Sequence, residues 1–332
     1  MQNQKIKIVL DDKKIKKTLK IKDVINVVEE GFRKKGLGLI SLPPKMGPKL
    51  ECDGARHRIQ GAFAESMPVS VFAGGVAQPR LQLFGIKWQS AYKSNLKKGL
   101  PYLNNLVILN EPESGLPIAI LKGNWITAIR TAGVSAVCAK YLAPKKKQLT
   151  IGMFGLGLQA YVHVLAFKSI FKNPKFILYN HDEKELTTFL KKFPKEKFTV
   201  LKNHREVVRS ADIILSATTF PPKITPYIFT IDLKDDVLIL PLEYGTRIEP
   251  AIYKDLDEIY TDDISQYELK SKLRYYFPTT RPKIKREIGE IIAQKYKRKN
   301  TPKRILVFNL GIALFDILTA ELFLKKCRGL LQ

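Results

Sequence analysis

The chain has 332 residues, enough for about two domains at ~150 residues each, and its 45% hydrophobic content can fill two ordinary cores, which excludes disorder as a description of the whole. The most hydrophobic run, residues 306–323, is interrupted by Asn309, Asp316 and Glu321, so no stretch reaches the ~18 uncharged apolar residues of a membrane span. Lys and Arg number 57 against 31 Asp and Glu, a net +26; the lysines are spread along the chain beside aliphatic rather than aromatic residues, so they read as a solvated surface, and nucleic acid is not expected as the main partner.

The first 20 residues alternate charges with isolated aliphatics and show no secretory h-region, and Cys52, Cys138 and Cys327 form no CxxC pair. A soluble cytoplasmic chain, with no membrane and no metal, is the expectation. From Lys5, KIKIVL reads as a strand, and residues 21–35, with Val24, Val27, Val28 and Phe32 at helical spacing, as an amphipathic helix. Residues 57–121 alternate, with IQGAFAESMPVSVF, LQLFGIKW, LVILN and LPIAIL as strand candidates. The last two flank Glu111-Pro112-Glu113-Ser114-Gly115 and should form an antiparallel hairpin.

From Trp125 helix and strand alternate: a helix dense in small residues at 127–143 with Pro144 beyond it, a strand at 149–154, a helix at 158–171, the strand KFILY, a helix at 183–192, the strand FTVL, a short helix, and strands at 211–218 and 237–242. Helical segments follow at 266–276 and 284–296, and an apolar helix at 311–326. This order predicts an α/β protein: a Rossmann-type doubly wound parallel sheet over 126–305, beside an α+β domain built from 1–125 with 306–332.

The chemistry begins at Gly155-Leu156-Gly157-Leu158-Gln159-Ala160, a GxGxxA turn between a strand and a helix. Gly155 allows the tight turn, Gly157 lets a pyrophosphate approach the helix N-terminus, and Ala160 lets the helix approach the sheet. A dinucleotide is therefore expected. Asn180-His181-Asp182 follow the next strand, where an acid usually binds the adenosine 2′-hydroxyl of NAD; a neutral Asn180 beside His181 and Lys184 leans the expectation to NADP over NAD, although Asp182 can reach a ribose. Thr218 and Thr219, at the carboxyl edge of the sheet, are further cofactor candidates or simply close a turn.

Arg130 stands in the first turn of a helix with Thr127 and Thr131 on neighbouring faces, so guanidinium and helix terminus can share one carboxylate; the alternative is an arginine paired with an acidic side chain. Lys87 shares a strand face with Leu83 and Gly85, where burial beside Leu83 and Trp88 and the charges of Lys45 and Arg130 should lower its pKa toward a value useful for proton transfer. In a chain this rich in lysine the alternative is an exposed strand residue, favoured on the residues alone; with the family resemblance given below, Lys87 is the first catalytic choice.

Glu113 to Ala119, then Arg130-Thr131-Ala132 with Val134-Ser135-Ala136, then the glycine turn with Gln159-Ala160, resemble the ornithine cyclodeaminase/μ-crystallin family. Met67-Pro68, Gly85-Ile86-Lys87, Ala211-Asp212-Ile213-Ile214 and Leu310-Gly311-Ile312-Ala313 with Asp316 extend the resemblance over most of the chain. The family implies a homodimer in which a substrate-binding and dimerisation domain joins a Rossmann domain with the substrate between them. It implies activities from cyclodeamination of ornithine to reduction of cyclic ketimines and dehydrogenation of amino acids. It places Lys45, Met67 and Arg130 with the substrate, and Thr131, Gln159 and Gly311 among the cofactor residues. Relatives that are cyclodeaminases carry an aspartate after a Rossmann strand, which family reductases can lack; here Glu243, in LPLEYGTRIE, offers a carboxylate at about the right place with one more methylene. Hydride transfer on a C–N bond of a small α-amino or α-imino acid is thus the first expectation, with a cyclodeaminase that recycles NAD and an inactive nucleotide-binding protein as alternatives.

Overall fold

In the computed structural model, residues 6–47, 62–74, 78–221, 224–272, 277 and 282–329 are described. The chain divides into two compact units, Met1–Arg130 with Ile312–Gln332, and Thr131–Gly311. The first part of the strand expected at 59–72, the last part of the helix expected at 266–276, and Cys52 lie outside the described residues.

The first unit runs β1 (Lys7–Val9), α1 (Asp12–Thr18), α2 (Ile21–Gly36), β2 (Ile40–Ser41), β3 (Ala62–Ala73), β4 (Arg80–Tyr92), β5 (Leu103–Asn110), β6 (Pro117–Lys122) and the start of α3 (Asn124–Leu142), and closes with the C-terminal helix Leu314–Gly329. Its sheet has the order β1-β6-β5-β4-β3-β2, antiparallel except where β1 joins β6, and the β5–β6 hairpin forms as the turn residues imply. One face is covered: α2 and the C-terminal helix pack together, with Phe32 and Phe315 rings 4.5 Å apart, above Val69, Val71, Leu83, Val107 and Leu109. Alternation sends the other residues outward, so Ile86, Ile108, Ile120 and Ile8 form a cross-strand row on the opposite face, beside the Trp88–Leu106 pair.

Two helices differ from expectation. α1 was not expected because only Ile15 in it is buried; Asp11 caps it through the Lys13 amide. α3 begins at Asn124, three residues before the expected 127, because the Trp125 amide finds an acceptor in Asp12 Oδ1 at 3.1 Å, which no local pattern reveals.

The second unit holds β7 (Thr150–Phe154), α4 (Leu158–Ile170), β8 (Lys175–Tyr179), α5 (Glu183–Leu190), β9 (Phe198–Val200), α6 (His204–Ser210), β10 (Ile213–Ser216), β11 (Val237–Pro241), β12 (Glu258–Thr261), α7 (Ile264–Ser271), β13 (Arg286–Glu287), α8 (Ile288–Ala293) and β14 (Arg304–Phe308). All eight strands are parallel, in the order β13-β12-β14-β11-β10-β7-β8-β9. The long helix expected at 284–296 is instead the short strand β13 followed by the two-turn α8. Residues 306–311 belong to this unit and not to the first, because β14 is inserted between β11 and β12. Strand order reverses between β7 and β10, and the crevice at their carboxyl ends is where ligands of such sheets bind. Among the described residues no helix is long and apolar enough to cross a membrane.

Candidate active site

In the first unit, Lys87 lies mid-strand in β4, opposite Met67 of β3 and Val107 of β5, so all three face the covered side. Its exposure is 0%, whereas Trp88 turns to the open face at 41% and does not help to bury it. A buried ammonium is costly without a partner. Asp316, in the first turn of the C-terminal helix, supplies one: Lys87 Nζ donates to Asp316 Oδ1 at 2.8 Å, and Thr127 Oγ1 donates to the same oxygen at 2.9 Å. Arg130 lies one turn beyond Thr127 on α3, hence on the same face, and its Nε stands 3.0 Å from Asp316 Oδ2 without the alignment of a hydrogen bond. Asp316 is the residue to which sequence reasoning gave no role; a carboxylate inside the apolar run 306–323 was the available signal.

The protonation states follow from this packing. Burial pulls the Lys87 pKa down to about 7, with Asp316 opposing the fall and Arg130 and Lys45 adding to it. Burial pushes the Asp316 carboxyl up, but Arg130, Lys87 and Thr127 outweigh it and leave the group below the usual carboxylate range. Lys45 is half-buried and precedes Met46, whose backbone bridges to Ser66 of β3, one residue from Met67. With Lys87 protonated, the three residues Lys87, Arg130 and Asp316 carry one net positive charge before Lys45 is added. An anion is what such a group attracts.

In the second unit, Gly155 ends β7 with φ +78°, and a Cβ there would lie 2.6 Å from the Ala217 carbonyl oxygen, so glycine is required. A Cβ on Gly157 would meet nothing within 4 Å, and Gly157 provides no side-chain cap for α4. The helix thus presents free amide groups to open space, which fits a pyrophosphate. Ala160 is fully buried under the helix, as the turn requires. Gln159 Oε1 is buried without a hydrogen bond among the described residues. The Gln159 backbone oxygen accepts from His163 Nδ1 at 2.7 Å, which leaves Nε2 to accept from Ser135 Oγ at 2.9 Å. Burial pulls His163 down to about 4, so it is neutral and structural.

The other expected cofactor residues scatter. Thr218 Oγ1 accepts from Arg247 Nε at 2.9 Å and the Thr219 carbonyl from Arg247 Nη2 at 3.4 Å, so both threonines anchor an arginine at the crevice rim. Asn180 Nδ2 donates to Glu185 Oε2 at 2.9 Å, His181 is exposed, and the Asp182 carboxylate is taken up in capping α5 through the Lys184 and Glu185 amides. Thr131 follows Arg130 on α3, half-buried. Gly311 has φ +82° and donates its amide to Asp262 Oδ2 at 2.8 Å; β11 and β10 lie between β14, which precedes it, and β7.

Glu243 lies just past β11, fully buried, and accepts from Ser216 Oγ at the end of β10, which brings it to the same carboxyl edge as the glycine turn. Tyr244 after it has φ +59°, a strained conformation that holds the carboxyl inward. Burial pushes Glu243 up to about 7, only partly offset by Ser216, Arg247 and the Thr218 amide, and Oε2 has no partner among the described residues. No group of three or more His, Cys, Asp or Glu among the described residues is placed to hold a metal ion.

The chain is 28% identical over 301 residues to the nodulation efficiency protein NfeD of Rhizobium meliloti, covering 88% of this chain and 86% of that one. It is 26% identical over 331 residues to an alanine dehydrogenase of Archaeoglobus fulgidus, covering 95% and 93%. Its fold superposes on a Thermococcus litoralis Δ1-pyrroline-2-carboxylate reductase solved with NADH and L-proline, with TM-score 0.79 at 23% identity over 98% of each chain. The model of the ornithine cyclodeaminase/mu-crystallin family matches residues 5–329, and the chain belongs to that family.

Proposed function

We propose that the protein is a nicotinamide-dependent oxidoreductase that acts on the C–N bond of a small α-amino or α-imino acid, as a ketimine reductase or an amino-acid dehydrogenase. The observation that carries this reading is the buried Lys87–Asp316–Arg130 group: a net positive charge for a carboxylate, next to a lysine that titrates near neutrality. Arg130 and Lys45 hold the carboxylate, and Met67, directly across from Lys87, gives the apolar wall against which a small side chain rests. Lys87 gives its proton to the substrate nitrogen on reduction and takes it back on oxidation. When bound, the nicotinamide supplies or accepts the hydride at the α-carbon. Gly155, Gly157 and the free end of α4 hold its pyrophosphate.

The Glu185 carboxylate, drawn onto Asn180, puts negative charge where a 2′-phosphate would come, which turns the reading from NADP(H) toward NAD(H). A cyclodeaminase with recycled NAD is the second reading, favoured by Glu243, a buried acid with a free oxygen at the carboxyl edge. One assay separates them: NADH and NADPH are followed against pyruvate with ammonia or amines, against cyclic imines and against ornithine, with product identification. Net NADH consumption with an imine supports the reductase; ammonia release from ornithine with no net NADH supports the second reading; turnover of none of these defeats both.

We further propose a cytoplasmic homodimer. Cys138 and Cys327 are buried free thiols, which suits a reducing compartment. The open face of the first unit's sheet presents Trp88 at 41%, Ile8 at 62% and Leu106 at 37% exposure beside the isoleucine row, the kind of apolar patch that a second copy covers. Trp88→Glu should shift the sedimentation coefficient to that of a monomer; an unchanged dimer would move the interface elsewhere.

A further inference from the structure

We propose that Asp316 is a positioning residue: its two carboxylate oxygens divide between the ammonium of Lys87 and the guanidinium of Arg130, and by holding both it aims them at one substrate and decides whether Lys87 carries its proton. This rests on the reading of a small amino or imino acid given above.

The argument starts from geometry. Asp316 reaches Lys87 across 229 residues of sequence, and both are fully buried. Oδ1 takes two donors, Lys87 Nζ at 2.8 Å and Thr127 Oγ1 at 2.9 Å, whereas Oδ2 has only the Arg130 Nε at 3.0 Å in misaligned contact. A carboxylate placed for stability alone would saturate both oxygens; this one keeps a loose hold on the guanidinium, whose Nε stands near Oδ2 without a hydrogen bond. The charges that bear on Lys87 come from three elements: Asp316 from the C-terminal helix, Arg130 from α3, and Lys45 from the segment after β2; its neighbours on β3 and β5, Met67 and Val107, are uncharged. Asp316 is the one anion among them. Without it Lys87 faces two cations in a buried site and loses its proton; a substrate carboxylate arriving at Arg130 and Lys45 adds a second anion and returns that proton, so binding and proton loading are linked.

The test needs no turnover. Lysine labelled with ¹⁵N at Nζ is followed by NMR through pH 5 to 10, and Lys87 is assigned by its loss in Lys87→Arg. Asp316→Asn, which keeps the shape, should lower the Lys87 titration by about one unit or more, the usual effect of an opposite charge at this distance. With a substrate that the wild type turns over, the same variant should lower kcat by about tenfold or more and shift the pH profile of kcat/KM in the same direction, a change that a purely structural role would not produce. If Asp316→Asn does not fold, Arg130→Gln serves: it removes the competing cation, so Lys87 should titrate higher than in wild type. A Lys87 titration unchanged in the variant that folds overturns the proposal, whereas absence of turnover in wild type with the NMR shifts intact counts against the substrate reading instead.

Discussion

Asp316 and Glu243 are both fully buried, in different units, yet their carboxyl pKa values move in opposite directions. Asp316 faces two cations and stays ionised, while Glu243 has a serine hydroxyl, a more distant Arg247 and one empty oxygen, and is raised to about 7. Burial penalises both charges alike, so it is the partner at hydrogen-bond distance that decides. The contrast divides the chemistry: on the proposed reading, the first unit keeps fixed charge and a titrating lysine for a carboxylate-bearing substrate, and the second keeps a carboxyl raised toward neutrality and the uncapped end of α4 for a nucleotide.

The largest test of that division is Lys87→Met. If the first unit handles the proton, kcat falls by ~10²–10⁴, the usual worth of general acid–base catalysis, while dinucleotide binding, read by fluorescence titration, survives. Near-full turnover would return the proton to Glu243 or water.

Glu243→Gln probes the other acid through stability. The folded state binds the Glu243 proton more tightly than the unfolded chain does, so its contribution is complete below the ordinary pKa of 4.5 and is lost as pH rises toward about 7. A shift of this size corresponds to ~3 kcal/mol. Denaturant unfolding at pH 5 and pH 8 should therefore show a loss in wild type that the glutamine variant lacks. Equal losses in both would mean that Glu243 is ionised in the folded protein.

Arg130→Lys keeps the charge and removes the fork, so KM for the carboxylate substrate should rise 10- to 100-fold, or roughly 1.5–3 kcal/mol. An unchanged KM would confine Arg130 to its contact with Asp316. Gly157→Val should weaken dinucleotide binding about tenfold or more by filling the space in front of α4, with an unchanged Tm because a Cβ there meets nothing within 4 Å. A loss of Tm would mean that the glycine serves the fold instead.

Much of this was legible in the sequence because it is local. The turn at Gly155 to Ala160 carries its backbone demand and its strand and helix within a few residues, and the alternation of β4 alone puts Lys87 with Leu83 on the buried face. Strands β12 and β14 were not, since EIYT and RILVF are short apolar runs without a period of their own and become strands by insertion between others. Tertiary structure alone decided the partners: Asp316 on Lys87, Ser216 on Glu243, Arg247 on Thr218. The physical reason is that a side chain's placement on a face follows from the backbone period of its own segment, whereas its charge state depends on which groups lie within ~4–6 Å after folding, and those arrive from segments that the local pattern does not connect.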